Sequence, residues 1–232
     1  MEEPWGDGSA PIFSENPILD RGLRLGLPFL IVALHLLVLA LLYGTETMLV
    51  IAGLMLIYEL PPAGKETVIP AGILLGYPWV AVAASIALVD VEVGLFMVWN
   101  FDLAERIPVL GRGIRRFTAG GRAFIAERPW LTGLYFFGIV LMVMVPFAGS
   151  GGVRGAIAGR LLGMSRPKVM AAIAIGAFAG SFAIALATLL LQRAFLESLF
   201  TFAAALLLLI FAGILVYWLA KRRYPAREQG AG

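Results

Sequence analysis

Cysteine is absent from the 232 residues and histidine occurs once, as His35. Without thiols there is no disulfide framework and no thiolate nucleophile or metal site, and one imidazole cannot build the multi-histidine sets of zinc or haem chemistry. No cofactor and no metal are therefore expected. Charge is also scarce, at 14% of residues against ~25% in soluble chains. The net charge of +3 is small and its basic residues are scattered between apolar runs, so no nucleic-acid partner is expected. What is abundant is hydrocarbon: 60% of residues are hydrophobic and the mean hydropathy is +0.91. Several runs approach the ~20 residues that cross a bilayer as helix. An ordinary soluble domain is excluded, and the fold class expected is all-α integral membrane, a polytopic helical bundle.

Enzyme chemistry finds little support. A serine nucleophile in Gly149-Ser150-Gly151 would have His35 as its only imidazole base, with nothing to orient it, and a phosphohistidine mechanism lacks its second histidine or acid donor. Inside its apolar run, His35 is read as bonding a neighbouring helix, the alternative being a proton relay.

The chain divides into a polar segment 1–24, a transmembrane domain 25–220 and a basic tail 221–232. The first twenty residues hold five acids and no base, unlike a cleaved signal peptide, which opens on a basic region. Leu25 to Tyr43 predicts a first span. Met48 to Leu60 is apolar but, at thirteen residues, reaches only about 20 Å as helix, short of a core ~30 Å thick. A break containing Pro61, Pro62, Gly64 and Lys65 follows, then a second short piece from Thr67 to Gly76. Two half-length pieces around a Pro/Gly tip predict a re-entrant hairpin. Trp79 to Trp99 predicts a span carrying Asp90 and Glu92, and residues 101–128 a basic amphipathic loop whose arginines meet anionic headgroups. The pattern then recurs: Trp130 to Pro146, a break through Gly149, Ser150, Gly151 and Gly152, a short piece from Val153 to Gly163, and spans at 169–191 and 199–220 joined by a connection at 192–198.

Ala71-Gly72-Ile73-Leu74-Leu75-Gly76 returns 87 positions later as Ala158-Gly159-Arg160-Leu161-Leu162-Gly163. Both copies end the second arm of a broken hairpin and lead through a proline-containing turn into a long apolar run, which favours an internal duplication of about 47–99 and 130–191. With the amino terminus inside and both hairpins returning to the side they left, fourteen of the eighteen basic residues fall on the cytoplasmic side. This arrangement makes the hairpins an inverted repeat with opposed tips, places both termini in the cytoplasm, and suits a multi-pass protein of a prokaryotic plasma membrane.

Charges at membrane depth cost roughly 2.5–3.5 kcal/mol each, so Glu66, Asp90, Arg154 and Arg160 are expected to act as one paired or hydrated unit. Glu66, Asp90 and Glu59 are candidates for a proton or cation site. Gly149 to Gly152, just before a helix start, would aim free amides at the same place as Arg154, a seat for a phosphate or carboxylate headgroup to which Arg160 would also contribute. The alternative is a structural acid–arginine brace between the hairpins. The glycine ladder Gly151, Gly155, Gly159 and Gly163 reads as helix packing.

Pro146-Phe147-Ala148-Gly149-Ser150-Gly151-Gly152-Val153-Arg154-Gly155-Ala156, followed by Leu161-Leu162-Gly163-Met164, resembles the signature of the small multidrug export protein family, and Glu59 through Glu66-Thr67-Val68-Ile69-Pro70 to Gly76 resembles its first half. That family is similar in plan to the DedA superfamily of lipid flippases and scramblases. The resemblance implies a transporter that moves an anionic or zwitterionic amphiphile, a phospholipid or polyprenyl phosphate, between leaflets, in some members driven by protons or sodium. DedA proteins carry an arginine just before the second proline, where this chain has Leu141 to Val145; its arginines stand beyond the tip instead. Lipophilic cations are the rival cargo and a non-transporting scaffold the rival role. Membrane lipids are the expected partners, and a homodimer is left open.

Overall fold

The computed structural model describes residues 12–101, 131–145, 151–197 and 199–223. Within them lie α1 (Pro17–Tyr43), α2 (Thr45–Glu59), α3 (Lys65–Leu74), α4 (Trp79–Trp99), α5 (Leu131–Met144), α6 (Gly151–Leu161), α7 (Arg166–Glu197) and α8 (Leu199–Arg223), with no strand among the described residues. The basic loop, Pro146, Gly149, Ser150 and the end of the tail fall outside them. The chain forms two compact units, residues 1–185 and 186–232.

Three of the described helices are long and apolar enough to cross a membrane: α1, α4, and Arg166–Leu196 of α7. α8 adds the shorter apolar stretch Ala203–Trp218, with Phe200, Leu207, Leu208 and Val216 exposed. The protein is thus all-helical and multi-pass. Most helix bounds shift by a few residues from the sequence reading, and Gly151 and Gly152, read as part of the break, open α6; two shifts have a clear local cause. α1 begins at Pro17 because the Asn16 side chain accepts the amides of Ile18 and Leu19 and proline suits the first helical turn. α7 runs on to Glu197 through most of the expected connection 192–198, since that stretch contains neither glycine nor proline to stop it.

Four helices are short. α2, α3, α5 and α6 have 15, 10, 14 and 11 residues, about 22, 15, 21 and 16 Å at 1.5 Å per residue. α2 packs on α3 and α5 on α6, while α4 contacts α2, α3 and α6. The two copies of the repeated hexapeptide close alike. Gly76 (φ 90°) and Gly163 (φ 77°) take the left-handed conformation that ends a helix. The Tyr77 amide donates to the Gly72 carbonyl, and the Met164 amide to that of Gly159. At the same offset of 87, Gly72 lies under Val82 and Gly159 under Val169, each so close that a β-carbon would meet the valine methyls within 3.0 Å.

α5 and α6 pack against α4 and α7. Ile139 and Val143 of α5, Ala156 of α6, Val98 of α4 and Val169 and Ile173 of α7 form one buried cluster. Gly176 and Gly180 let α7 lie directly against the α5 backbone, where a β-carbon would come 2.5 Å from the Val140 and Met144 carbonyl oxygens respectively.

α1 is fixed to α4 at two levels. Near its start, Arg24 pairs with Asp20 at 2.5 Å and donates to the Trp99 carbonyl, while Asp20 accepts the amides of Ile12 and Phe13. Pro28 has no amide to donate to the Arg24 carbonyl; the Asn100 side chain supplies that hydrogen bond at 3.2 Å. Further along, the Ser85 hydroxyl donates to the Ala81 carbonyl, leaving its oxygen to accept from His35 Nε2 at 3.0 Å. His35 thus bonds a neighbouring helix. Arg24, one of the basic residues counted to the cytoplasmic side, is also a buried tie.

Gly180→Ala should lower the thermal stability of the purified protein by about 1–3 kcal/mol through overpacking. Gly133→Ala, with nothing within 4 Å of its β-carbon, should be neutral or raise it by up to about 1 kcal/mol. Scanning fluorimetry in detergent checks the pair, and equal effects would contradict the close approach of α5 and α7.

Candidate functional site: the Asp90 node

Asp90 lies in the middle of α4 and is fully buried. A carboxylate there needs compensation from every side. Its Oδ1 accepts the Tyr58 hydroxyl at 2.8 Å and the Gly152 amide at 2.9 Å, and its Oδ2 faces Lys65 Nζ at 2.5 Å. The Tyr58 oxygen in turn accepts the Gly151 amide at 3.3 Å. Lys65, itself buried, also donates to the Val143 carbonyl at 3.2 Å.

Each contact meets a need created by a broken helix. The first amides of a helix and its last carbonyls have no partners within it. Gly151 and Gly152 open α6, so Tyr58 and Asp90 take two of its orphan donors, and the negative charge sits at the positive end of that helix. Val143 is the penultimate residue of α5, and its carbonyl is served by Lys65, the first residue of α3. Glycine at 152 is required by distance: a β-carbon would run into the Asp90 carbonyl, and Gly94, one turn along α4, faces the Gly152 Cα.

Of the residues expected to act as one unit, the structure brings Asp90 together with the tip glycines Gly151 and Gly152 and with Lys65. Glu66 is exposed; its carboxylate curls back over Gly64 in the first turn of α3. Successive helical residues point about 100° apart, so of the neighbours 65 and 66 only one can face Asp90, and it is the lysine. Gly64 donates its amide to Thr67 Oγ1. Arg154 is half-buried and, two residues past Gly152, lies about 200° round α6 from the Asp90 contact. Arg160 is buried near the end of α6, donating to the Met164 carbonyl at 3.3 Å and lying 5.6 Å from the Phe101 ring centre. It stands eight residues from Gly152, about 12 Å along the axis. Pro61 and Pro62 are exposed in the α2–α3 turn, and Glu59 is half-buried at the end of α2.

Sequence reasoning missed Lys65 as the partner of Asp90, and it missed Tyr58. Lys65 was detectable: the offset of 87 aligns it with Gly152, so both contacts to Asp90 come from equivalent helix starts. Tyr58 was not, because nothing in a run of apolar residues distinguishes a tyrosine whose hydroxyl meets a carboxylate.

A second polar feature lies on another face of α4. Val89, Glu92, Val93 and Phe96 share helical spacing and, with residues of α1 and α2, line a cavity of about 440 Å³. Glu92 is 4% exposed.

Compared with known families, residues 66–184, just over half of the chain, match the family described as "Putative small multi-drug export protein". No curated protein and no solved structure matches. The matched region starts one residue after Lys65 and contains Asp90 and the Gly151-Gly152 amides.

Removing one member of a buried ion pair strands the other at about 3–5 kcal/mol, whereas removing both spares that penalty. Lys65→Met and Asp90→Asn should each destabilise the protein by about that much, and the double variant by clearly less than their sum. Unfolding of the three variants in detergent measures this, and additive losses would contradict a coupled pair.

Proposed function

The chain belongs to the small multi-drug export family, and from that premise we propose that it is a membrane transporter whose two short-helix hairpins enter the bilayer from opposite sides and move an amphiphile between them. The observation that carries this reading is the Asp90 node, a buried charged cluster where both hairpins meet. Charges within spanning helices are expensive and by default mark a transport path, and discontinuous helices whose ends meet at midplane are the usual architecture of such a path. The equivalent helix starts, matching glycine caps and matching Gly–Val contacts at the offset of 87 support an inverted duplication.

Coupling follows from the same atoms. A proton on Asp90 removes the charge that holds the α6 amide and the lysine together, whereas a cation displacing Lys65 releases the lysine and the Val143 carbonyl it serves; in either case a contact between the hairpins is lost and they are freer to part. Arg154 and Arg160 remain candidates for a lipid headgroup. An anion seated on the tip amides would have to displace Tyr58 and Asp90, which favours a cationic cargo over a phosphate. The amino terminus lies in the cytoplasm in this reading, as the basic residues indicate.

Two measurements test the proposal. Gly44→Cys and Tyr77→Cys, flanking the first hairpin, should both label from the external side; labelling of Tyr77→Cys from the cytoplasmic side alone would mean that α2 and α3 together cross. In proteoliposomes, tetraphenylphosphonium should move faster than in empty vesicles and respond to a pH gradient, with Asp90→Asn at least tenfold slower. Movement of a fluorescent phospholipid instead would transfer the role to lipid transport, and movement of neither would leave a scaffold.

A further inference from the structure

We infer that the cavity between α1, α2 and α4 is a binding site for a bulky amphiphilic monocation, held by Glu92 on α4 with Glu59 on α2 beside it. This site is separate from the Asp90 node. It deepens the transport reading, on which its role as a cargo site rests.

The cavity walls are apolar. Phe29 and Val32 from α1, Ala52 and Met55 from α2, and Val89 and Phe96 from α4 supply them, and among the described residues the charged ones lining it are Glu59 and Glu92, with no basic side chain. Glu92 is buried and its Oε1 has no hydrogen-bond partner among the described residues. Since a carboxyl oxygen deprived of both water and protein donors is costly, a group that enters and supplies positive charge is strongly favoured. The size, 440 Å³, lies in the range of small-molecule sites, about 300–1,000 Å³.

Chemistry selects the guest. An anion would meet the Glu92 carboxylate in a cavity whose described lining holds no basic side chain. A small inorganic cation needs six or more oxygen ligands, or a tight set of side-chain donors, and no group of three or more metal-binding side chains occurs among the described residues. A cation with apolar bulk satisfies both walls and carboxylates. The rings of Phe29 and Phe96, 6.0 Å apart and edge to face, add aromatic surface of the kind that attracts organic cations. Phe29 and Leu56, both exposed, form a rim through which such a guest enters.

The two repeats explain why the cavity lies here. Val89 and Val93 stand 87 positions before Gly176 and Gly180. Where the second repeat has glycine, α5 closes onto α7; where the first has valine, the side chains line an open space, and α1 completes its wall.

Equilibrium dialysis of the purified full-length protein in detergent against labelled tetraphenylphosphonium, with tetraphenylborate as the size-matched anion, tests the assignment. Saturable binding of the cation alone is expected, weakened at least tenfold by Glu92→Gln and by the cavity-filling Ala52→Phe. If Glu92→Gln fails to fold, Ala52→Phe decides. Absence of saturable binding, equal binding of the borate, or unchanged affinity in the folded variants would overturn the site. Phosphonium binding that requires Glu92, with no cargo moved in proteoliposomes, upholds the site and defeats the transport reading. Cargo movement without phosphonium binding does the reverse.

Discussion

The Lys65–Asp90 pair serves as a reciprocal cap. A helix end buried in the protein interior leaves backbone groups that no water can reach, and each such group is costly. Here Asp90 takes an amide at the start of α6 and Lys65 takes a carbonyl at the end of α5, while each neutralises the other. The first hairpin and its following helix thereby finish the backbone of the second. The glycines at 94 and 152, the burial of Tyr58 and the packing of α6 on α4 all depend on keeping that carboxylate against those amides.

α4 presents different residues to different neighbours. Asp90 and Gly94 face α6, whereas Val89, Glu92, Val93 and Phe96 face the cavity. Two acids only two residues apart therefore live in unlike surroundings: among the described residues one is surrounded by donors and the other has an oxygen without any. A period of 3.6 residues imposes this separation. Neither role can be inferred for one acid from the other.

Much of the helix layout was legible because it rests on local rules. Apolar runs too short to cross, separated by Pro61-Pro62 and by the glycines before Val153, marked out the four short helices, and the two copies of the repeated hexapeptide, read as the ends of equivalent arms, close with the same hydrogen bonds. The start of α1 was misjudged because its cap, Asn16-Pro17, precedes the apolar run by which the helix was recognised. The electrostatic partners were less legible. Charge counting identified Asp90 as costly but does not tell Glu66 from Lys65; only the offset of 87, which aligns Lys65 with Gly152, carries that information. Glu92 was visible only as an acid in a span, since its importance lies in a space enclosed by three helices.

The ties of α1 to α4 bracket the cavity. Asn100 completes the Arg24 carbonyl on one side and His35 holds Ser85 on the other, with Pro28, Phe29 and Val32 between them. The two attachments stand eleven residues apart, about 16 Å of helix. A wall pinned at this spacing keeps its calibre, and widening it means breaking a polar bond in a medium that offers no replacement. For the cation proposed above, discrimination would then fall on girth, as in a gauge, with little scope for the wall to mould itself around each newcomer.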